Sequence, residues 1–388
     1  MKLADRTDTV APFFAMEFGK HAAALEAQGH HIIKLNIGEP DFDAPPLVVK
    51  AMHEAIEGGH TSYTAALGIP PLRAAIADFY RSNYGVSVDA SRVVVTAGAS
   101  AALLLASAAL VNPGDEVLVG DPSYPCNRHF MSSFGAQVKL VPTTAESRFQ
   151  LNEELVRSHW SAQTRGLMIA TPSNPTGTSV PEAELAALCA FAKERGAWRI
   201  VDEIYLGLTY GEHRAPSILK HDPEAIVINS FSKYFGMTGW RLGWAIVPEE
   251  MVPVMERLAQ NYYICPSAPT QYAALACFQP ESLAVCEERR ADLARRRELI
   301  VTGLKRIGLN VPVEPDGAFY VYIDVSQTGL NSMDFCERAL HEAHVALTPG
   351  NDFGQCSAAD HVRLSYAAST SELELAITRL APFIQKLL

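Results

Sequence analysis

Between residues 93 and 247 the chain carries seven short apolar runs, several of them separated by helical patterns. The runs fall at 93–95, 117–119, 138–141, 167–170, 199–201, 225–228 and 242–247. Helical patterns separate several of them, such as the one from Pro181 to Arg195 with Gly196 as its stop. Strands separated by helices pair in parallel, and the helices cover both faces of the sheet. The expected fold is therefore α/β, with a large domain built on a mostly parallel seven-stranded sheet covered by helices. In such sheets ligands bind outside the carboxyl ends of the strands, so the residues just after each run carry the functional information.

The flanks read differently. An amphipathic segment at 13–28 precedes a strand at 32–37 and the turn Gly38-Glu39-Pro40-Asp41-Phe42. Pro45 and Pro46 open a helix that Gly58-Gly59 closes. Another helix starts near Pro71, with Leu72, Ala75, Ile76, Phe79 and Tyr80 on one face. Beyond it all, a long charged helix at 281–307 is followed by a strand at 318–323, a helix near 332–344, a strand at 362–366 and a last helix. This tail reads as a smaller α+β domain that packs with the start of the chain. The expected division is 46–285 for the large domain, with 1–45 and 286–388 forming the small, discontinuous one.

The strand ends supply complementary chemistry. After residue 95 come Gly98, Ala99 and Ser100 at a helix start, where free N–H groups and the helix dipole suit a phosphate; Ser100 as a plain helix cap is the alternative. After residue 119 comes Tyr124 between two prolines, placed to lie over a flat ring or simply to pack in a rigid loop. Ser173-Asn174-Pro175-Thr176-Gly177 follows residue 170, and the amide of Asn174 can donate to an oxygen. Asp202 and Tyr205 follow residue 201; the first can meet a cationic ring nitrogen and the second can donate a hydrogen bond, unless this is a solvated acidic loop. Ser230, Lys233 and Arg241 follow residue 228. A lysine among small hydroxyl and glycine residues is either a loop cation or a buried amine. Burial lowers its proton affinity and lets it attack a carbonyl to form a Schiff base. Arg363 alternates with Val362, Leu364 and Tyr366, which places it on the other face of its strand, either as an exposed edge cation or as a two-pronged clamp for a carboxylate. A phosphate cradle, a ring partner, a carboxylate for a ring nitrogen, a Schiff-base lysine and a carboxylate clamp together fit pyridoxal 5′-phosphate and an amino acid.

Composition narrows the alternatives. The net charge of −11 argues against non-specific nucleic-acid binding. Seven scattered cysteines without a C-x-x-C pair suit a reducing compartment and offer no zinc site. The polar start shows no secretory signal, and the longest apolar run, 101–111, is too short to span a bilayer. These features lead us to expect a cytoplasmic protein without membrane or nucleic-acid partners.

Over nearly its whole length, with motif order and spacing kept, the chain resembles the aspartate-aminotransferase-like family of class I/II aminotransferases, which are fold-type I pyridoxal-phosphate enzymes. The resemblance is carried by Ser173-Asn174-Pro175-Thr176-Gly177, by Val201-Asp202-Glu203-Ile204-Tyr205, and by Ser230-Phe231-Ser232-Lys233 with Met237-Thr238-Gly239-Trp240-Arg241-Leu242-Gly243. It implies that Lys233 bonds the cofactor and shuttles protons, and that Asp202 holds the pyridine nitrogen. By the same resemblance Asn174 and Tyr205 hydrogen-bond the phenolic oxygen, while Ala99, Ser100, Ser230 and Arg241 bind the phosphate. Tyr63 would join them from the partner of a homodimer, Tyr124 would stack on the ring, and Gly38 and Arg363 would place the substrate carboxylate with help from Asn174. The implied reaction is amino transfer between an L-amino acid and a 2-oxo acid, with the small domain closing on the substrate.

Two departures stand out. Ala99 offers only its N–H where many relatives have a side-chain donor. Gln260-Asn261-Tyr262-Tyr263-Ile264-Cys265-Pro266 lacks the cation that the dicarboxylate-specific branch places there. Arg128 and His129 are possible substitutes, and Tyr262, Tyr263 and Phe13 or Phe14 can instead shape an apolar pocket. A β- or γ-eliminating lyase is the alternative reaction on the same scaffold. A cofactor-binding regulator is a third reading, opposed by the acidic chain and by the roughly dozen residues before Phe13, too few for a DNA-binding extension.

Overall fold

The computed structural model describes residues 1–8, 10–211 and 215–388. The chain begins with helix α1 (Phe14–Glu26) and a two-residue strand, β1 (Ile33–Lys34). Helices α2 (Pro46–Glu57) and α3 (Pro70–Tyr84) follow, each with proline in its first turn; Gly58 ends the former and the left-handed Gly85 the latter. The region of short apolar runs then forms strands β2 (Val93–Thr96), β3 (Glu116–Asp121), β4 (Gln137–Pro142), β5 (Thr164–Ala170), β6 (Trp198–Asp202), β7 (Ile226–Ser230) and β8 (Gly243–Ile246).

These seven form one sheet in the order β2-β8-β7-β6-β5-β3-β4. Only β8 runs against its neighbours, antiparallel to both β2 and β7; the remaining pairs are parallel. Alternation along each strand divides the apolar runs between two cores. Leu167, Ile169, Val201 and Val227 face one, whereas Met168, Ile200, Ile226 and Ile228 face the other. Helix α4 (Ala99–Leu110) follows β2 and buries its apolar face in the second core, and α5 (Pro125–Ser133) follows β3.

The end of the chain builds a smaller, three-stranded antiparallel sheet from β9 (Tyr320–Asp324), β11 (Thr348–Pro349) and β12 (His361–Ser365), with β12 in the middle. A further strand, β10 (Val345–Ala346), pairs in parallel with β1. The two chain ends therefore meet in one layer. The strand expected over 32–37 is in fact only two residues long, because its partner offers two rungs. Beyond Leu35 the backbone carbonyl of Asn36 accepts from the side chains of Thr348 and Arg363 in place of a strand partner, so the ladder stops, and the side-chain Nδ2 of Asn36 donates to the carbonyl of Ala15. Among the described residues, no helix is long and apolar enough to cross a membrane.

Candidate active site

A cavity of about 380 Å³ opens at the carboxyl ends of the large sheet's strands, and eleven of the thirteen residues singled out above line it: Gly38, Ala99, Ser100, Tyr124, Asn174, Asp202, Tyr205, Ser230, Lys233, Arg241 and Arg363. Gly98 lies just outside it, next to Arg241. It is at φ 84°, and a Cβ there would come within 2.6 Å of Nη2 of Arg241, so both backbone and space demand glycine. Tyr63 is the other exception. It is 80 % exposed in the single chain and does not reach this cavity.

Lys233 is half-buried on the cavity wall, and its Nζ donates to the carbonyl of Gly38 at 2.6 Å. Loss of water pushes its amine down to about 8; Glu39 opposes that shift, and Arg363 and Arg241 add to it. A surface loop cation would show no such shift. Asp202, at the tip of β6, is 4 % exposed, which rules out a solvated loop. Burial lifts its carboxyl to about 7, against the pull of the Ile204 N–H at 3.1 Å and the charge of Lys233.

Arg363 is 1 % exposed on the central strand of its sheet, so it is not an edge cation. Its Nη1 donates to Oδ1 of Asn174 at 2.9 Å and its Nη2 to the carbonyl of Asn36 at 2.5 Å, with the Thr348 hydroxyl at 3.3 Å. The rings of Tyr320 and Phe353 lie under its guanidinium at 4.7 and 4.8 Å. Every one of these partners is neutral, and its Nε is buried with no acceptor among the described residues. Because Arg363 occupies the oxygen of Asn174, the amide nitrogen of that residue remains as the donor.

On the other side, Ser230 Oγ accepts from the N–H of Ser232 at 3.0 Å. Arg241 donates to the carbonyl of Thr238 at 2.9 Å from a left-handed backbone, φ 53°, which costs a non-glycine residue roughly 1–3 kcal/mol and is found where a site dictates the geometry. The N–H groups of Ala99 and Ser100 fall in the first turn of α4, where the helix offers them no carbonyl.

The family described as aminotransferase class I and II matches residues 30–380. The chain belongs to this family. Among curated relatives, a valine–pyruvate aminotransferase of Mycobacterium tuberculosis is 37% identical over 376 residues, 97% of each chain. An aspartate/prephenate aminotransferase of Thermus thermophilus is 37% identical over 382 residues, 98% of each. Among solved structures, an aminotransferase from Mycobacterium tuberculosis superposes with a TM-score of 0.96 at 37% identity over 100% of both chains. The aspartate aminotransferase of Thermus thermophilus with maleate gives 0.93 at 36%, again over 100% of both.

Several residues of this aminotransferase's cavity carried no sequence signal. Tyr320 places its hydroxyl 2.7 Å from that of Tyr205, and a Cβ on Gly38 would lie 2.2 Å from the same hydroxyl. Within an apolar strand, a tyrosine reads as core. Glu39, Met16 and Ile37 also line the cavity. Phe13 does so as well, its ring edge-on to Tyr124 at 6.1 Å, whereas Tyr262 and Tyr263 do not line it in the single chain. Arg128 does not reach the cavity; its Nη2 donates to the carbonyl of Asp352 at 3.1 Å. His129 does not line the cavity either.

Proposed function

We propose that this aminotransferase moves an amino group between an L-amino acid and a 2-oxo acid with pyridoxal 5′-phosphate as cofactor. The observation that carries the reading is one cavity holding a depressed lysine, a bare buried aspartate and an arginine with an open Nε edge. The donor set suits the cofactor: Arg241, Ser230, Ser100 and the N–H groups of Ala99 and Ser100 for the phosphate, Asp202 for the pyridine nitrogen, and Tyr205 with the Asn174 amide for the phenolic oxygen. Tyr124 would lie on the ring. When bound, pyridoxal phosphate supplies an aldehyde that condenses with amines and a ring that takes up the electron pair left by the departing α-proton.

The protein's own groups do the rest. Asp202 holds the proton on the ring nitrogen, since a buried carboxylate is stabilised by a cation placed beside it. Lys233, with an amine near 8, is partly uncharged at neutral pH and can take the α-proton and return it to another carbon. Arg363 binds the substrate carboxylate through Nε and Nη, beside the backbone of Gly38, and so fixes which bond is broken.

We further read the molecule as a homodimer in which Tyr63 reaches the partner's cavity, with residues 46–285 as the large domain and 1–45 with 286–388 as a small domain that closes on the substrate. The seven scattered cysteines, with no C-x-x-C pair among them, fit a reducing, cytoplasmic setting.

The test uses the purified holoenzyme with amino donors and with 2-oxoglutarate or pyruvate as acceptor. Sustained oxo-acid formation that depends on the acceptor supports transfer; continued formation without an acceptor, beyond one equivalent per active site, would mean elimination and overturn it. Lys233→Ala should lose the visible absorbance of lysine-bound cofactor and at least ~10²–10⁴-fold of turnover.

A further inference from the structure

The cavity distributes its charge unevenly. Among the described residues that line it in the single chain, only Lys233, Arg241 and Arg363 are cationic, and on the transamination reading each is engaged, by the reacting carbon, the phosphate and the α-carboxylate respectively. Among the described lining residues no cation is left for a second carboxylate. The nearby Arg128 is held by Asp352 and sits in the fields of Asp121 and Asp352. Glu39 adds negative charge to the lining, and its carboxylate accepts the hydroxyl of Thr238 while acting on Lys233. A side-chain carboxylate would therefore meet repulsion, and a cationic side chain would have to compete with Lys233 and Thr238 for Glu39.

The remaining wall is apolar and is built by the chain's beginning, from Phe13, Ala15, Met16 and Ile37, with Tyr124 against Phe13. This wall is held in place from a distance. Asp352, 2 % exposed, accepts the N–H groups of Phe14 at 2.8 Å and Ala15 at 3.0 Å and so caps α1. The segment carrying Asp352 is in turn fixed by Asp121, at the tip of β3, which accepts the N–H groups of Gln355 and Cys356 at 3.0 Å. A Cβ on Gly354 would lie 1.6 Å from that carboxylate.

We propose that the amino donor of this enzyme carries an uncharged, apolar side chain, and that Phe13 and Met16, set in position by Asp352, select it. The inference rests on the transamination reading and deepens it. With pyruvate as acceptor, the holoenzyme should use leucine or phenylalanine with kcat/KM at least about 10-fold above aspartate and arginine, the scale on which apolar contacts discriminate. As unreactive ligands measured by calorimetry on the holoenzyme, 4-methylpentanoate should bind more tightly than succinate. Met16→Ala and Phe13→Ala should each narrow the preference for leucine over alanine by about 10-fold while the cofactor's absorbance is kept. A preference for aspartate or arginine, tighter binding of succinate, binding of neither acid, or unchanged selectivity in both variants overturns the proposal. If no donor reacts at all, the transamination reading falls, and the order of the two acids still decides the character of the wall.

Discussion

Strand β6 buries two charges, and the molecule treats them in opposite ways. Near its start, Arg199 meets Asp222 through two parallel hydrogen bonds of 2.7 Å, with both side chains nearly sealed from water. At its end, Asp202 is buried as deeply but takes only one backbone N–H. Glu203, next along, points elsewhere and pins the following loop through Ser217 at 3.0 Å and the N–H of Ile218 at 2.8 Å. The Arg199–Asp222 contact is a completed pair, because an unmatched charge in the interior costs several kcal/mol. Burial for function leaves a pair half made, so that the ligand supplies the other half. Arg363, ringed by neutral acceptors with Nε open, obeys the second rule from the other sheet.

The contrast can be broken at four places. On the proposed reading, Asp202→Asn should lower turnover by roughly 10²-fold or more, since it removes the charge that would hold the ring proton. The same change should stabilise the cofactor-free protein. Burial lifts Asp202 to about 7, so the folded protein retains a proton that the unfolded chain releases near about 4. Stability contributed at this position thus falls as pH rises from about 4 to about 7 and is level above that. The advantage of the asparagine variant in urea unfolding should widen over that window; an advantage that does not change with pH would mean Asp202 is not bare.

Asp222→Ala should do the reverse. It strands Arg199 and should cost about 3–5 kcal/mol in urea unfolding, with little change in the KM of the remaining folded enzyme. Smaller effects belong to groups that act through others. Asp352→Ala should reduce kcat/KM roughly 10–100-fold, chiefly through the KM of the amino acid, and cost about 0.5–2 kcal/mol of stability as a lost helix cap. Asp352→Asn keeps one acceptor oxygen and should restore part of both, with cofactor absorbance normal in each. Tyr320→Phe leaves the Tyr205 hydroxyl without its partner; steady-state rates should drop only a few-fold, in line with about 0.5–1.5 kcal/mol for one hydrogen bond.

The half-made pairs of the large sheet were legible because a parallel sheet has only one place to put them. Asp202 directly follows the run at 199–201 and Lys233 lies five residues past the run at 225–228, and such placement at a strand end is a local signal. Arg363 was legible by alternation, but the depth of its burial was not, since its flanking strands come from elsewhere in the chain. Asp352 left no trace. It lies in a single 3-10 turn and meets residues 337 and 338 positions away, a pairing that no spacing rule reaches. The shortened β1 fails for the same reason: its own residues favour a longer strand, and the length is set by the two rungs β10 can offer.

That pairing has a consequence for how the molecule comes into being. Ile33 must wait for Val345, about 310 residues later in the chain. At a synthesis rate of ~5–20 residues per second, the wait is roughly 15–60 s. By then the large sheet, with Lys233 and Asp202, has left the ribosome, while α1 has nothing to cap it and no strand beside it. From the completion of β8 at Ile246 until Val345 is made, the nascent protein thus has the floor of its active site laid and its roof undocked.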